Sequence, residues 1–465
     1  MMRAPAMVLV ALSLAMGAAV SAISVGPEDS PGPIVFDTAR GVPCAVVADG
    51  HSDLIAISAA VRVRDAELRA RPGVGGVVLR AIFGDGDNLS SDGMLRVIHR
   101  VGGRVDLSWS PDCATITIVT APTMLRDAVW VLAQALKNAE MDGPTSSRAL
   151  RELLALGART AADPLNVAVD AVRARMYGAD IYGRGETVAR DGLAGLRRDE
   201  LLAYYRTAFR PTATAIAVVG DITLDQVRST LENNLIDYED RSGTRPGRLV
   251  AGDRPERTGP SRTDVVSGVS SAALAVGYEG PGIGDPLYPS FRVMAALLVE
   301  GKGSRLFRTL RDTQGIGYVV GGEVMPEIDT STLLAYAEFD PSREDAPDPA
   351  AVERTIVEAV EGLLSTPPSE SEITRATRLV VGRRMLDRTR VSDRAASLAR
   401  SRIMLGSFDA EARLDQALLK VTGDDVVDAA RRFLTKRCVA TVRPQVGVGR
   451  SGALRTTESE PTVSP

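Results

Sequence analysis

The sequence predicts an α+β fold of two homologous domains, each a mainly antiparallel sheet with helices packed on it. The composition is that of an ordinary globular protein, with 45% hydrophobic and 25% charged residues over 465 positions. Strand-like and helix-like stretches alternate along the chain. The second half then repeats the order of the first, and this repeat favours two copies of one unit over two unrelated domains.

The first half begins with two strand-like stretches, CAVVADG and LIAISAAVRV, joined by a turn. A helix at 73–83 and a second one in SDGMLRVIHRVGG follow, and two glycines end the latter. The remaining predicted elements are a strand pair (RVDLSWS, ATITIVTA), a helix at 123–139, a helical region at 144–176, a helix (RDELLAYYRTAF), a strand (ATAIAVVGD) and a helix (TLDQVRSTLENNL).

The second half repeats several of these steps. GSRLFRTLRDTQGIGYVV has the helix–glycine–strand order of SDGMLRVIHRVGGRVDL, and GDDVVDAARRFLTKRCVATV parallels RDELLAYYRTAFRPTATAIAV. Between the halves, a Gly-, Pro- and Arg-rich stretch without periodicity predicts a linker. The predicted bounds are a first domain at 30–240, a linker at 241–263, a second domain at 264–445 and a disordered tail at 446–465.

The chain starts with MMRAPAMVLVALSLAMGAAVSA, which has one positive charge, an apolar run and small residues at its end. This order predicts a signal peptide over 1–22, cleaved after Ala22; an uncleaved membrane anchor is the alternative. We therefore expect an exported protein, periplasmic or secreted, with no stable membrane span after cleavage. The net charge of −4 and the thin spread of basic residues give no indication of nucleic acid as a partner.

Three cysteines, Cys44, Cys113 and Cys438, have a spacing that fits no zinc ribbon. Cys44 and Cys113 both lie in strand-like stretches and could pair in an oxidising compartment. The other interpretation is that all three are small buried hydrophobic residues.

Four stretches carry a family resemblance: GGRVDLSWSPDCATITIV, YGADIYGRGETVARDGL, YYRTAFRPTATAIAVVGD and GKGSRLFRTLRDTQGIGYVV. In this order, and spread over both halves, they resemble the insulinase/pitrilysin-type (inverzincin) metallopeptidases, a family that includes the mitochondrial processing peptidase. The resemblance implies the fold of short bacterial members, which have two homologous α+β domains joined by a linker.

Active members of this family carry an H-x-x-E-H motif on the first long helix, where the two histidines bind zinc and the glutamate acts as the base. With Gly73 and Phe83 as the flanking matches, the first histidine falls on Gly76, the glutamate on Leu79 and the second histidine on Arg80. Glycine has no ligand atom, leucine transfers no proton, and arginine stays protonated and repels a cation. The motif is degenerate, and no catalytic residue is expected.

The whole chain has two histidines, His51 and His99, and neither has a second histidine at zinc-binding spacing. We therefore expect no metal and no cofactor. Gly75 and Gly76 inside this helix each cost about 1 kcal/mol relative to alanine. The sequence leaves two explanations for these glycines open: close packing and relaxed selection.

Glu152 falls where the resemblance implies the distal glutamate ligand of zinc. We hypothesise that Arg80 and Glu152 form an ion pair in the emptied site, with the guanidinium in place of the metal. The alternative is that Glu152 is a solvated residue on its helix.

In active members the second domain contributes an arginine and a tyrosine, seven residues apart, that contact the substrate. RDTQGIGY places Arg311 and Tyr318 at this spacing, so the resemblance implies a substrate-binding role for both. Arg305 and Arg308, on the same helix, are expected to be solvated.

These features predict a pseudoenzyme: a non-catalytic subunit of an exported insulinase-type protease. It would form a heterodimer with a homologous zinc-containing peptidase subunit and bind a peptide or unfolded polypeptide, with a strand edge as the expected docking place. The alternative is a stand-alone structural or peptide-binding protein with no protease partner. A new enzyme chemistry is disfavoured because neither a G-x-S-x-G elbow nor a P-loop is present.

Overall fold

The computed structural model describes residues 32–445 with gaps at 84–90, 101, 142, 186–191, 194, 243–258, 317–318 and 345. Two sheets with helices packed against them organise these residues. We call residues 33–242 the first half and residues 259–445 the second half. The predicted α+β fold class is confirmed.

The first sheet has six strands in the order β1-β2-β6-β3-β5-β4. The β2–β6 pair is parallel and the other pairs are antiparallel. Its strands are β1 (Ile34–Asp37), β2 (Pro43–Ala48), β3 (Ile55–Arg62), β4 (Arg104–Trp109), β5 (Cys113–Thr120) and β6 (Thr214–Gly220).

The second sheet has five strands in the order β7-β11-β8-β10-β9. The β7–β11 pair is parallel and the others are antiparallel. This repeats the order and the directions of β2-β6-β3-β5-β4, so the sequence repeat is a repeat of sheet topology. Its strands are β7 (Ser261–Ser267), β8 (Ala272–Pro281), β9 (Val319–Pro326), β10 (Thr330–Phe339) and β11 (Cys438–Pro444).

Helices cover both sheets. Those of the first half are α1 (Arg64–Glu67), α2 (Val74–Ala81), α3 (Ser91–Arg100), α4 (Leu125–Lys137), α5 (Gly143–Ala162), α6 (Pro164–Tyr177), α7 (Arg198–Ala208) and α8 (Leu224–Leu235). Those of the second half are α9 (Tyr288–Val299), α10 (Arg305–Phe307, continued by a π-helical turn, Arg308–Thr313), α11 (Pro349–Glu361), α12 (Glu370–Leu386), α13 (Val391–Leu405), α14 (Ala410–Leu419) and α15 (Gly423–Phe433).

Several elements differ from the sequence prediction. The helical region at 144–176 is two helices, because Asp163 caps α6 by accepting hydrogen bonds from the backbone N–H groups of Leu165 (2.8 Å) and Asn166 (3.1 Å). Pro164 occupies the first position of α6, where its missing N–H costs nothing. Strands β1 and β7 and the helices α12, α13 and α14 were not predicted.

Each sheet is covered on one face by a helix from the other half. Helix α6 of the first half packs on β7, β8, β10 and β11, and α13 of the second half packs on β2, β3, β5 and β6. Small side chains meet where α13 covers the first sheet, since Ala399 lies in one buried cluster with Ala60, Ala215 and Ala217. Larger side chains of α6, among them Val172, cover the second sheet. The central strands of both sheets are therefore buried on two sides, and side chains of both halves pack in the same clusters.

Buried charges join the halves at the end of α6. Arg173 pairs with Glu327 of the second half, and the two side chains are 13% and 7% exposed. Nearby, Asp112 accepts a hydrogen bond from the backbone N–H of Ile328 at 2.8 Å and pairs with Arg64 at 3.2 Å. Removing one partner of such a buried pair leaves an uncompensated charge, so these contacts specify how the halves meet.

The predicted signal peptide at 1–22, most of the linker at 241–263 and the tail at 446–465 lie outside the described residues. Strand β7 begins at Ser261, inside the last part of the predicted linker. The domain bounds stay predictions. In the described part of the chain, no helix is both long and apolar enough to span a bilayer.

Candidate functional site

Helix α2 carries the degenerate motif and packs between α5, α7 and β4. It begins after Gly73, whose φ of 83° is in the left-handed region that favours glycine. Every residue of α2 except Arg80 is buried. The predicted helix is therefore confirmed as part of the core of the first half, and Arg80 is its one polar residue facing outward.

Gly75 is required by a close approach. A Cβ atom at this position would lie 2.2 Å from Glu67 Oε1, 2.3 Å from the Tyr204 hydroxyl and 2.6 Å from Trp109 Nε1. These distances are shorter than any van der Waals contact allows. Close packing, one of the two reasons left open by the sequence, explains this glycine.

The group that Gly75 accommodates is a buried carboxyl. Glu67 is 2% exposed and accepts a hydrogen bond from the Tyr204 hydroxyl at 2.5 Å. Burial raises the pKa of Glu67 to about 7, although the Tyr204 hydrogen bond and the positive charge of Arg184 oppose this shift. The carboxyl therefore changes its protonation state near neutral pH.

The presence of glycine at position 76 has a different explanation. A Cβ atom here would lie 3.3 Å from Leu153 Cδ2 and 3.6 Å from Arg80 Nη1, which a small shift would relieve. Arg80 folds back over the position and donates a hydrogen bond from Nη1 to the Gly76 carbonyl at 3.2 Å. The absence of a side chain at Gly76 thus leaves the space next to the Arg80 guanidinium open.

The three motif positions do not fit a zinc ion. Gly76 offers only a carbonyl already bonded to Arg80, Leu79 is apolar and 2% exposed, and Arg80 is a cation. Zinc requires imidazole, thiolate or carboxylate donors. Among the described residues, no group of three or more His, Cys, Asp or Glu side chains is placed to hold a metal ion.

The predicted ion pair between Arg80 and Glu152 is not formed. Glu152 accepts a hydrogen bond from Arg148 Nε at 2.9 Å, one turn away on α5, and its side chain is 50% exposed. The α5 side chain nearest to Gly76 is Leu153. An i,i+4 partner on the same helix is available at little entropic cost, and it takes the place of the partner across the cavity.

Arg80 and Glu152 nevertheless line one cavity, together with Gly76 and Leu79. Its volume is about 420 Å³. All four positions therefore line one cavity, but Arg80 and Glu152 are not paired with each other. Three further polar residues that the sequence analysis did not select also line this cavity or border it: Glu67, Arg184 and Tyr204.

Glu67 could not have been recognised from the local sequence. It stands in VRVRDAELRA, where charged residues alternate with apolar ones and no single charge is distinguished. Its environment depends on Tyr204, which is 137 positions away along the chain. Tyr204 and its neighbour Tyr205 are both buried.

The substrate-binding pair predicted for the second half is only partly described. Arg311 is exposed on the π-helical turn after α10, and Tyr318 lies outside the described residues.

Arg305, expected to be solvated, is instead 15% exposed and donates from Nε to Glu372 Oε1 at 2.9 Å. Hydrogen bonds from Arg305 lower the pKa of Glu372 to about 2. Arg308, by contrast, is about half exposed (53%).

The cysteines are free and buried, so no Cys44–Cys113 disulfide is present. Burial raises the pKa of the Cys113 thiol to about 12 and that of the Cys44 thiol above its usual range. A thiol held protonated in an apolar core is a poor nucleophile and a poor metal ligand. The interpretation as small hydrophobic residues fits this packing.

Known proteins similar to the chain agree with the fold. A family model described as "Peptidase M16 inactive domain" matches residues 195–380. A Mycobacterium tuberculosis protein named as an uncharacterized zinc protease is 24% identical over 298 residues, which cover 62% of this chain and 65% of that protein. The chain thus spans just under two thirds of the length of this relative.

Two solved structures superpose over most of the chain. A protease from Helicobacter pylori has a TM-score of 0.80 at 16% identity and covers 89% of this chain and 100% of its own. A peptidase M16 inactive domain from Pseudomonas fluorescens has a TM-score of 0.77 at 15% identity and covers 90% of this chain and 98% of its own. At these identities the likeness shows a shared fold.

The two glycines of α2 should respond oppositely to alanine. Gly75→Ala should lower the free energy of unfolding by about 2 kcal/mol, because the new methyl group collides with Glu67 and Tyr204. Gly76→Ala should be neutral or stabilising by up to about 1 kcal/mol, because it gains helix propensity and meets only a movable leucine. Urea denaturation of both variants measures this difference. Equal effects would show that Gly75 is not constrained by the buried carboxyl.

Glu67 should make stability depend on pH. Its pKa is raised in the folded state, from 4.5 to about 7, so the folded protein keeps a proton that the unfolded chain releases. The stabilising contribution of protonated Glu67 is therefore fully present below pH 4.5 and is lost as the pH rises to 7. Over this range the free energy of unfolding of the wild type should fall by about 3 kcal/mol relative to that of Glu67→Gln. Urea denaturation of both proteins between pH 5 and 8 tests this. Glu152→Gln, on the surface of α5, is the control and should follow the wild-type curve; parallel curves for wild type and Glu67→Gln would contradict the prediction.

Proposed function

The chain is a member of the insulinase-type (M16) peptidase family, and from this premise we propose that it is a non-catalytic subunit of an exported protease. A homologous zinc-containing subunit supplies the metal, its ligands and the catalytic base. This chain supplies a second, folded half of the chamber and holds the peptide substrate.

The proposal rests on the side chains at three positions of α2. Where the family's reaction needs two imidazoles and a carboxylate, Gly76, Leu79 and Arg80 provide none of these groups. The carboxyl next to this helix, that of Glu67, is buried against Tyr204, and the described residues contain no group of three or more His, Cys, Asp or Glu side chains placed to hold a metal ion. The match to a model described as an inactive domain supports a non-catalytic member of the family.

Substrate holding is assigned to the second half. Arg311 is exposed and lies on a helical turn that precedes β9, an edge strand of the second sheet. An arginine offers a fork of donors to a backbone carbonyl or a carboxylate, and an edge strand offers unpaired backbone groups to an extended peptide. Tyr318, which precedes Val319 in the sequence, is proposed to contribute a second substrate contact.

The partner requirement can be tested by mixing. The purified chain alone should not cleave an internally quenched peptide, whereas a zinc-containing homologue should cleave it at least tenfold faster when this chain is added. Arg311→Ala should lower the rate of the mixture about tenfold, because one charge-assisted hydrogen bond is worth about 1.5–3 kcal/mol. Arg354→Ala, an exposed arginine on α11 of the same half, is the matched control and should leave the rate unchanged.

Cleavage by the purified chain alone, abolished by a chelator, would refute the proposal. The chain could instead bind the peptide and yet increase cleavage by none of the zinc-containing homologues of the same genome. That result would favour the stand-alone peptide-binding protein.

Export is part of the proposal. A signal peptide over 1–22 predicts a mature chain that begins at Ile23. Expression of the full chain in a bacterial host, fractionation and intact-mass measurement should find this form outside the cytoplasm. A full-length chain that stays in the membrane fraction would support the uncleaved anchor.

A further inference from the structure

The cavity beside α2 has the lining of a ligand site, although the groups needed for hydrolysis are missing. From its charge and its walls, we propose that it binds a small carboxylate attached to an apolar body, with the Arg80 guanidinium as the anion partner. The site lies in the first half. It does not depend on the proposed function, and it would remain if no protease partner existed.

The guanidinium of Arg80 has hydrogen-bond donors available to an anion. Within the described chain, its hydrogen-bond acceptor is the carbonyl of Gly76, reached by Nη1 alone, and no carboxylate lies within 4.0 Å of its nitrogens. The side chain is partly exposed at the cavity wall. A guanidinium has five N–H donors in a planar fork, so Nη2 and Nε remain available to two oxygens of a carboxylate.

The acidic side chains that line the cavity, Glu67 and Glu152, already have hydrogen-bond partners. Glu152 is held by Arg148 at 2.9 Å and is turned toward its own helix. Glu67 is buried against the hydroxyl of Tyr204, and burial keeps much of it protonated near neutral pH. These two carboxyls therefore do little to cancel the charge of Arg80.

A second guanidinium strengthens the positive field. Arg184 lines the same cavity and donates from Nη1 to the carbonyls of Glu67 (2.7 Å) and Ala70 (3.1 Å). Carbonyl acceptors hold this side chain in place without neutralising it. An anion that enters the cavity thus meets two cations, and the low dielectric of its walls increases the attraction.

Much of the remaining cavity wall is apolar. Leu79, Val105, Trp109, Leu153 and Ile181 line the cavity. Its volume of about 420 Å³ is near the lower end of the range, roughly 300–1,000 Å³, that small-molecule sites occupy. The geometry fits a ligand of the size of an acylated amino acid, with the acyl or side-chain carbons against the leucines and the carboxylate at Arg80.

Two probes that differ only at the carboxylate test the charge requirement. In isothermal titration calorimetry with the purified full chain at pH 6.5, N-acetyl-leucine should bind and N-acetyl-leucinamide should bind at least tenfold more weakly. Arg80→Met, which keeps the length and removes the charge, should weaken N-acetyl-leucine binding at least tenfold. Arg151→Met, an exposed arginine on α5 outside the cavity lining, is the matched control and should change the affinity less than twofold.

Equal affinities for the acid and the amide, or an unchanged affinity in Arg80→Met, would overturn the proposal. So would the absence of any N-acetyl-leucine binding up to 10 mM, roughly the weakest affinity that calorimetry resolves. Circular dichroism of Arg80→Met verifies folding, and Arg80→Lys gives a second test because it keeps the charge and should retain part of the binding.

Two further probes distinguish the source of the carboxylate. N-acetyl-Ala-Ala-Leu presents the carboxyl end of a peptide, and octanoate presents a free aliphatic acid. Tighter binding of the tripeptide assigns the site to peptide carboxyl ends, whereas tighter binding of octanoate assigns it to free acids. Both assignments require Arg80, so Arg80→Met should weaken the binding of both probes. Unchanged affinities for both probes in Arg80→Met would again contradict the proposal.

Discussion

Each half of the chain places one helix on the sheet of the other half, and the structure depends on this constraint. Strands β3, β5 and β6 are buried along nearly their whole length, and this burial needs cover on both faces of the sheet. The second cover comes from α13, just as α6 covers the second sheet. Without these two helices, each half would expose an alanine-rich face to water. The pair Arg173–Glu327 then fixes how the halves meet, since a buried charge cannot lose its partner cheaply.

This shared core separates the requirements of folding from those of catalysis. Helix α2 is held by its buried apolar residues and by the close approach of Gly75 to Glu67. Neither contact involves positions 76, 79 or 80 as metal ligands. The scaffold does not depend on a metal here, and Arg80 places a cation in the wall of the neighbouring cavity.

Hydrophobic patterning predicted the fold class and the repeat because most strands and helices bury large apolar side chains at regular intervals. It failed for α13, where the buried residues are Ser392, Ala395, Ser397, Ala399 and Ser401. Small residues are needed there because the helix lies directly on a sheet. They carry little hydrophobic signal, and the sheet they contact belongs to the other half of the chain. The edge strand β1, only four residues long, gave too short a pattern.

The sequence alone determined which chemistry positions 76, 79 and 80 lack, because the donor atoms of a side chain are a property of the residue and not of its surroundings. The family resemblance, and not the residues by themselves, associated these positions with Glu152, and all four line one cavity. Only the tertiary structure decided the partners. Glu67 contacts Tyr204, which is 137 positions away along the chain, and packs closely against Gly75. Glu152 pairs with Arg148 because residues four positions apart on a helix lie on the same face.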